Sequence, residues 1–202
     1  MSLWSGGAPL VLASQSKSRQ ALLKGAGIPF VAIPADIDER AVQSGSGLKD
    51  PGAIAALLAR SKALHVASRE KGRVVIGADQ TLALKERMFS KPAGRVQAAE
   101  QLRALAGATH EVHSAIAIAK DDEVVFEHVA VARMTMRSLN DAGIEKYLDA
   151  AGEAVTTSVG AYQLEGLGVH LFERIEGDHF TILGLPLLPL LGALRRIGLI
   201  VD

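Results

Sequence analysis

Cysteine is absent from all 202 residues. That excludes disulfides, thiolate nucleophiles and cysteine-ligated zinc, and it is compatible with the cytoplasm without marking it. Aromatic residues are also scarce, with five Phe, two Tyr and one Trp, and the 22 Lys and Arg balance the 22 Asp and Glu. The chain therefore lacks both the stacking platforms and the electrostatic field that would recruit nucleic acid or an anionic membrane. Any polyanion it handles must be met by a local cluster. No apolar run reaches the roughly 18 to 20 residues that a spanning helix needs, and the start lacks the basic-then-apolar layout of an export signal. A soluble, cytoplasmic protein is expected. The phosphate-binding patterns GxxxxGK[ST] and GxGxxG and the zinc pattern HExxH are missing as well. His110 and His113 stand three apart in an expected strand, on opposite faces, where they do not share a metal.

What is present reads as one α/β domain. Residues 1 to 9, MSLWSGGAP, form an expected loose, disordered leader, with a single domain over 10 to 202. Strands are expected at Leu10–Ala13, Phe30–Pro34, Arg73–Ala78, His110–Ala119, Glu123–Met136 and Val169–Ile175. Helices are expected at Ser16–Ala26, from Pro51 to about Ser68, at Gly94–Ala106, from the capping-box-like Ser138–Asp141 to about Ala150, and at Pro186–Ile197. The stretch ADIDERAVQSGSGLKD, 35 to 50, reads as a functional loop. Helices alternate with strands at both ends and a hairpin lies between, which predicts a mixed central sheet flanked by helices.

Polar residues punctuate these buried elements. In LVLASQSKSRQALL a strand gives way to a helix N-terminus, where unpaired N–H groups and the helix dipole make an anion site. Ser14 and Ser16 add hydroxyls and Arg19 a planar fork, together a candidate phosphate cradle. Ser16 also reads as an ordinary N-cap and Arg19 as a surface cation. In VVIGADQT, Asp79 emerges from a buried strand, where a carboxylate can bind Mg²⁺ or take a proton from water, or make an Asx-turn. Lys91, before a proline, and Lys62, beside an apolar helical stripe, are point charges for phosphate; a surface loop and snorkelling are the alternatives. Asp36, Asp38 and Glu39 offer hard oxygen ligands, or simply a solvated acidic loop. In GAYQLEGLG, glycines 160, 166 and 168 allow close backbone approach around the acceptor Glu165, or serve tight turns.

These blocks, in this order, resemble the Maf family of septum-formation-inhibitor-like proteins, which are nucleoside triphosphate pyrophosphatases. LVLASQSKSRQALLKGAGIPF resembles the family's L-A-S-x-S-P-R-R opening and VVIGADQT its G-[AS]-D-[TQ]. SKPAGRVQAAEQLRALAGATHEV and YQLEGLGVHLFERIEGDHFTILGLPL resemble its later blocks. The resemblance implies a two-lobed architecture with a cleft, usually dimeric, and metal-dependent (Mg²⁺ or Mn²⁺) hydrolysis of a nucleotide's α–β phosphoanhydride to a monophosphate and pyrophosphate. It implies that Asp79 activates water, that Ser14, Ser16, Arg19, Lys62 and Lys91 contact phosphate, and that Glu39 and Asp79 hold the metal. Base selection falls by resemblance on Ser18, Gln80 and Glu165. Gln80 and Glu165 resemble the branch acting on 7-methyl-GTP, whereas Ser18 matches neither that branch nor the one acting on dTTP and UTP. A glutamate can accept from guanine N1–H and N2–H₂, which leans the expectation toward a guanine-type base. The other reading is a non-catalytic, nucleotide-binding regulator of cell division.

Overall fold

The computed structural model describes residues 3 to 201, and the first two residues of the expected leader lie outside them. The chain divides into two compact units. One comprises residues up to Gln80, Ser114–Ala130 and the chain from His179 onward; the other comprises Thr81–His113 and Val131–Asp178.

The first unit holds strands β1 (Leu10–Leu12) and β2 (Phe30–Ala32) and the parts of β3 (Val74–Leu84), β5 (Thr109–Lys120) and β6 (Glu123–Met136) that lie up to Gln80, from Ser114 on and up to Ala130, in the sheet order β2-β1-β3-β5-β6. β1 runs parallel to both its neighbours. One sheet face packs Leu10, Leu12, Ile76, Ile116 and Ile118 against Leu23 of helix α1 (Lys17–Gly25) and Leu187, Leu190 and Leu194 of helix α7 (Leu187–Arg196). The other face packs Val11, Val75, Ala115, Ala117 and Ala119 against helix α3 (Pro51–Ala67). Alternation along each strand supplies the two faces. β1, buried at all three of its residues, therefore serves two layers of helix, as expected for a strand covered on both sides.

Two expectations change here. The stretch 35 to 50 is not all loop: Glu39–Ser46 forms helix α2, capped by the Asp38 side chain accepting from the Ala41 N–H. No α2 residue is buried, so the segment carries no apolar stripe to announce a helix. The leader is in part tied down. Trp4 bridges Ile200, the Ser5 N–H donates to the Leu199 carbonyl, and the Val201 N–H donates to that of Leu3.

In the second unit the far end of β3 pairs antiparallel with strand β4 (Arg87–Phe89), and β6 pairs antiparallel with β7 (Phe172–Glu176). Parallel and antiparallel pairs together make the sheet mixed, as the alternation of elements predicts. Helices α4 (Arg95–Leu105) and α5 (Asp141–Ala151) pack in this unit, and helix α6 (His179–Ile182) precedes α7 in the first. The α5 cap is Asn140, accepting from the Gly143 N–H, and not Ser138. The strand expected from Val169 starts at Phe172, because 167 to 171 form a 3-10 turn. Among the described residues no helix is long and apolar enough to cross a membrane.

Candidate active site

Helix α3 meets β3 unusually closely. A Cβ at Gly77 would stand 2.1 Å from the Ala59 carbonyl oxygen and 2.6 Å from the Ala63 nitrogen. Only a glycine opposite the stripe Ala55, Ala59, Ala63 and Ala67 permits that approach. The stripe also carries Lys62, with 8% of its surface exposed, over the sheet. Two residues beyond Gly77 on the same strand face is Asp79, 7% exposed.

The strand does not end at Asp79, as the sequence led us to expect; β3 continues to Leu84. What ends is its neighbour. β1 pairs with β3 only as far as Leu12 opposite Ile76, so Asp79 stands beyond the carboxyl end of β1. That is where open parallel sheets bind ligands. Asp79 Oδ1 lies 2.5 Å from Lys62 Nζ, which also lies 2.7 Å from Glu39 Oε1 at the start of α2. Snorkelling is thus not what the lysine does: a buried ammonium joins two carboxylates from separate elements. Burial pushes the Asp79 carboxyl above its ordinary pKa, while Lys62 and then Arg19 pull it down. Burial likewise lowers Arg19, with Asp79 and Glu39 opposing, and the guanidinium keeps its charge.

Arg19 is fixed from three sides. Its Nε–H donates to the Gly184 carbonyl at 2.8 Å, and Nη1 donates to the Ala78 carbonyl at 2.9 Å and to Ser14 Oγ at 3.1 Å. Nε and both Nη1 hydrogens are committed, so the Nη2 edge is what this fork offers an anion. Ser14 Oγ also accepts from the Ser16 N–H at 3.2 Å. With two bonds accepted, its own O–H is left to donate outward. Ser16 caps α1, accepting from the Arg19 N–H. Part of the backbone cradle read from the sequence is thereby satisfied by serine oxygens, and the hydroxyl hydrogens replace it as donors.

Ser14, Ser16, Arg19, Glu39, Lys62 and Asp79 thus come together in the first unit. Ser18 lies half-buried within α1. Gln80, next to Asp79, points to the other sheet face, where its amide meets Ser114 and α6. Lys91 and Glu165 belong to the second unit, both exposed, on the loop after β4 and in the turn before the 167–171 segment. There the buried amide of Gln101 donates to the Ser90 carbonyl and accepts from the Gly160 N–H, tying both segments to α4. Nearby in chain to Glu165, the Tyr162 hydroxyl pairs with buried His110 at 2.7 Å. Sequence reasoning missed Gln101, Ser114 and Gly77. The Ala-x₃ repeat of α3 was the available signal for Gly77.

Among the described residues no group of three or more His, Asp and Glu side chains forms a ready metal cage. The donor chemistry nonetheless fits a divalent cation, since Glu39 and Asp79 already converge on one positive nitrogen. Mg²⁺ is commonly held by one or two carboxylates completed by substrate phosphate and water. Asp38 is spent as the α2 cap.

Comparison with known proteins identifies the family. A family model described as Maf-like protein matches residues 9–197. A Bradyrhizobium diazoefficiens protein named nucleoside triphosphate pyrophosphatase is 65% identical over 200 residues, 99% of either chain. One of the same name from Rhodopseudomonas palustris is 64% identical, again over 99% of both. A Rhizobium etli protein named 7-methyl-GTP pyrophosphatase is 52% identical over 95% of this chain and 97% of its own. With one family model spanning both units and relatives matched end to end, this chain belongs to the Maf-like family.

Proposed function

We propose that this protein is a nucleoside triphosphate pyrophosphatase, a hydrolase that cleaves the α–β phosphoanhydride to give a nucleoside monophosphate and pyrophosphate. The observation that carries the reading is the buried carboxylate of Asp79, bonded to Lys62 and flanked by the fixed fork of Arg19. A binding module needs the cations and hydroxyls; it has no use for a desolvated carboxylate among them. The names of relatives at 64 and 65% identity support the same reading.

In this mechanism Asp79, ionised, accepts a proton from water as the water oxygen bonds to the α-phosphorus. The bond from that phosphorus to the bridging oxygen breaks, and its electron pair leaves with pyrophosphate. Arg19 through Nη2, Lys62 through its ammonium, and Ser14 and Ser16 through their O–H groups stabilise the charge that grows on the leaving group. Glu39 and Asp79 would hold a divalent cation, Mg²⁺ or Mn²⁺, which supplies neutralisation of the phosphate charge when bound. Lys91 is assigned a phosphate contact, and Glu165 the recognition of a guanine-type base by accepting from N1–H and N2–H₂. Cytoplasmic location and a homodimer belong to the same proposal and rest on the family resemblance.

The test is pyrophosphate release from a panel of triphosphates, including 7-methyl-GTP, GTP, UTP and dTTP, with Mg²⁺ or Mn²⁺. Release is expected for the guanine members first. Asp79→Asn is expected to lower the rate by about 10² to 10⁴, the range for losing a general base. A wild-type rate in that variant defeats the assignment.

A further inference from the structure

Gln80 sits beside the proposed base, yet its side chain engages a different set of partners. Its Nε2 lies 2.8 Å from Ser114 Oγ, 3.1 Å from the Thr181 carbonyl and 2.9 Å from the Ile182 carbonyl. Backbone carbonyls only accept, so the amide nitrogen, not the oxygen, must face α6. Ser114, fully buried, donates its own hydroxyl to the Thr181 carbonyl at 2.6 Å, which leaves its oxygen to accept from Gln80. An amide nitrogen carries only two hydrogens, so the shorter contacts to Ser114 and Ile182 hold them, and the Thr181 carbonyl receives the Ser114 hydroxyl.

That carbonyl has a second donor, the N–H of Gly184 at 3.0 Å. Gly184 turns with φ of +87°, a conformation glycine alone adopts readily, and a Cβ there would stand 3.2 Å from Arg19 Nε. Its carbonyl is the acceptor of the Arg19 Nε–H. One continuous chain of bonds thus runs from Gln80, through Ser114, Thr181 and Gly184, to the guanidinium. Each link is a hydrogen bond of ordinary length.

We propose that Gln80 and Ser114 are positioning residues for phosphate recognition: they fix the 181–184 turn and, through the Gly184 carbonyl, the direction in which Arg19 presents its Nη2 edge. This deepens the pyrophosphatase reading and rests on it for the role of Arg19. It parts from the role that family resemblance gives Gln80, because a residue acting through Arg19 alters affinity for phosphate and leaves the ranking of bases unchanged.

Inorganic tripolyphosphate, which has no base, separates the two roles. Its binding is measured by calorimetry with Mg²⁺ for the wild type, Gln80→Leu, Ser114→Ala, Arg19→Ala and the Gln80→Leu/Arg19→Ala double variant. Alongside it, kcat/KM is measured across the nucleotide panel. Gln80→Leu is expected to weaken tripolyphosphate by about tenfold, the scale of one displaced hydrogen bond. It is also expected to lower kcat/KM by one common factor for every base and to have no further effect once Arg19 is gone. Ser114→Ala is expected to do the same more weakly, and it carries the comparison if Gln80→Leu does not fold. Unchanged tripolyphosphate binding with a shifted base ranking overturns the proposal, as does an equal loss in the Arg19→Ala background. If no nucleotide releases pyrophosphate but the Arg19-dependent loss is seen, the reaction is misassigned and the positioning role stands. A wild type that binds no tripolyphosphate removes both.

Discussion

Asp79 is pulled in opposite directions, and the balance sets how the enzyme should respond to pH. Burial, the larger influence, raises its pKa above the roughly 4 of a free aspartate, while Lys62 and Arg19 favour the ionised form. In the proposed mechanism proton acceptance requires the carboxylate, so kcat/KM should fall as pH drops through a pKa raised above that of a free aspartate. Lys62→Met removes the first of the lowering influences and should move that acidic limb to higher pH, whereas Lys62→Arg should largely restore it. An acidic limb that stays in place in Lys62→Met would show that another group titrates. His110 gives the contrasting sign. Burial lowers it to about 4 from an ordinary 6.5, so the unfolded chain binds a proton that the folded one resists. Its contribution is complete above about pH 6.5 and lost as pH falls toward 4, about 3 kcal/mol in all. Urea titrations at pH 7 and pH 4.5 should show a smaller drop in His110→Leu than in the wild type.

At the scale of elements, the closeness of α3 to β3 places Lys62 over Asp79, and it depends on one missing side chain. Gly77→Ala puts a methyl group into the Ala59 carbonyl and Ala63 backbone. The helix must shift, at a cost of about 1 to 3 kcal/mol or more, as in other overpacked cores. Pyrophosphate release should fall together with the urea midpoint, since the shift separates the ammonium from its carboxylate. A variant that lost stability but kept full activity would show that the pairing tolerates the displacement. These elements were unequally legible. α3 and α7 announced themselves by proline and glycine punctuation, and β1 by its apolar run. α2 was silent because none of its residues is buried, although Asp38 and Ala41 form a good cap. β3 looked too short because the polar Asp79, Gln80 and Thr81 interrupt its apolar run, although Leu82, Ala83 and Leu84 carry the strand on to pair with β4. The same polar interruption is what made Asp79 and Gln80 candidate site residues, so the feature that hid the strand's length also drew attention to it.

Across the whole chain, what the sequence could not disclose was mostly partnership at long range. Asp79, Lys62 and Arg19 were identifiable one by one as charges at the ends of elements; that Lys62 would be buried between Asp79 and Glu39 depends on packing that no local pattern encodes. The amino end illustrates the same limit. Glycine and serine around Trp4 suggested looseness, yet Trp4 packs on the core beneath α1 and α7 and bridges Ile200. The Ser5 N–H and hydroxyl meet the carbonyls of Leu199 and Gly198, which joins the start of the chain to its last residues. Closing the ends holds α7 against the sheet, and α7 follows directly on the turn that fixes Arg19. Trp4→Ala should therefore cost about 1 to 3 kcal/mol, less than a fully buried aromatic, because the ring is only half-buried. Urea unfolding measures that cost, and hydrogen exchange locates it. Faster exchange is expected in 194 to 200, with 144 to 148 of α5 unaffected. Protection lost equally in both segments would mean that Trp4 supports the chain globally and does not specifically clasp its ends.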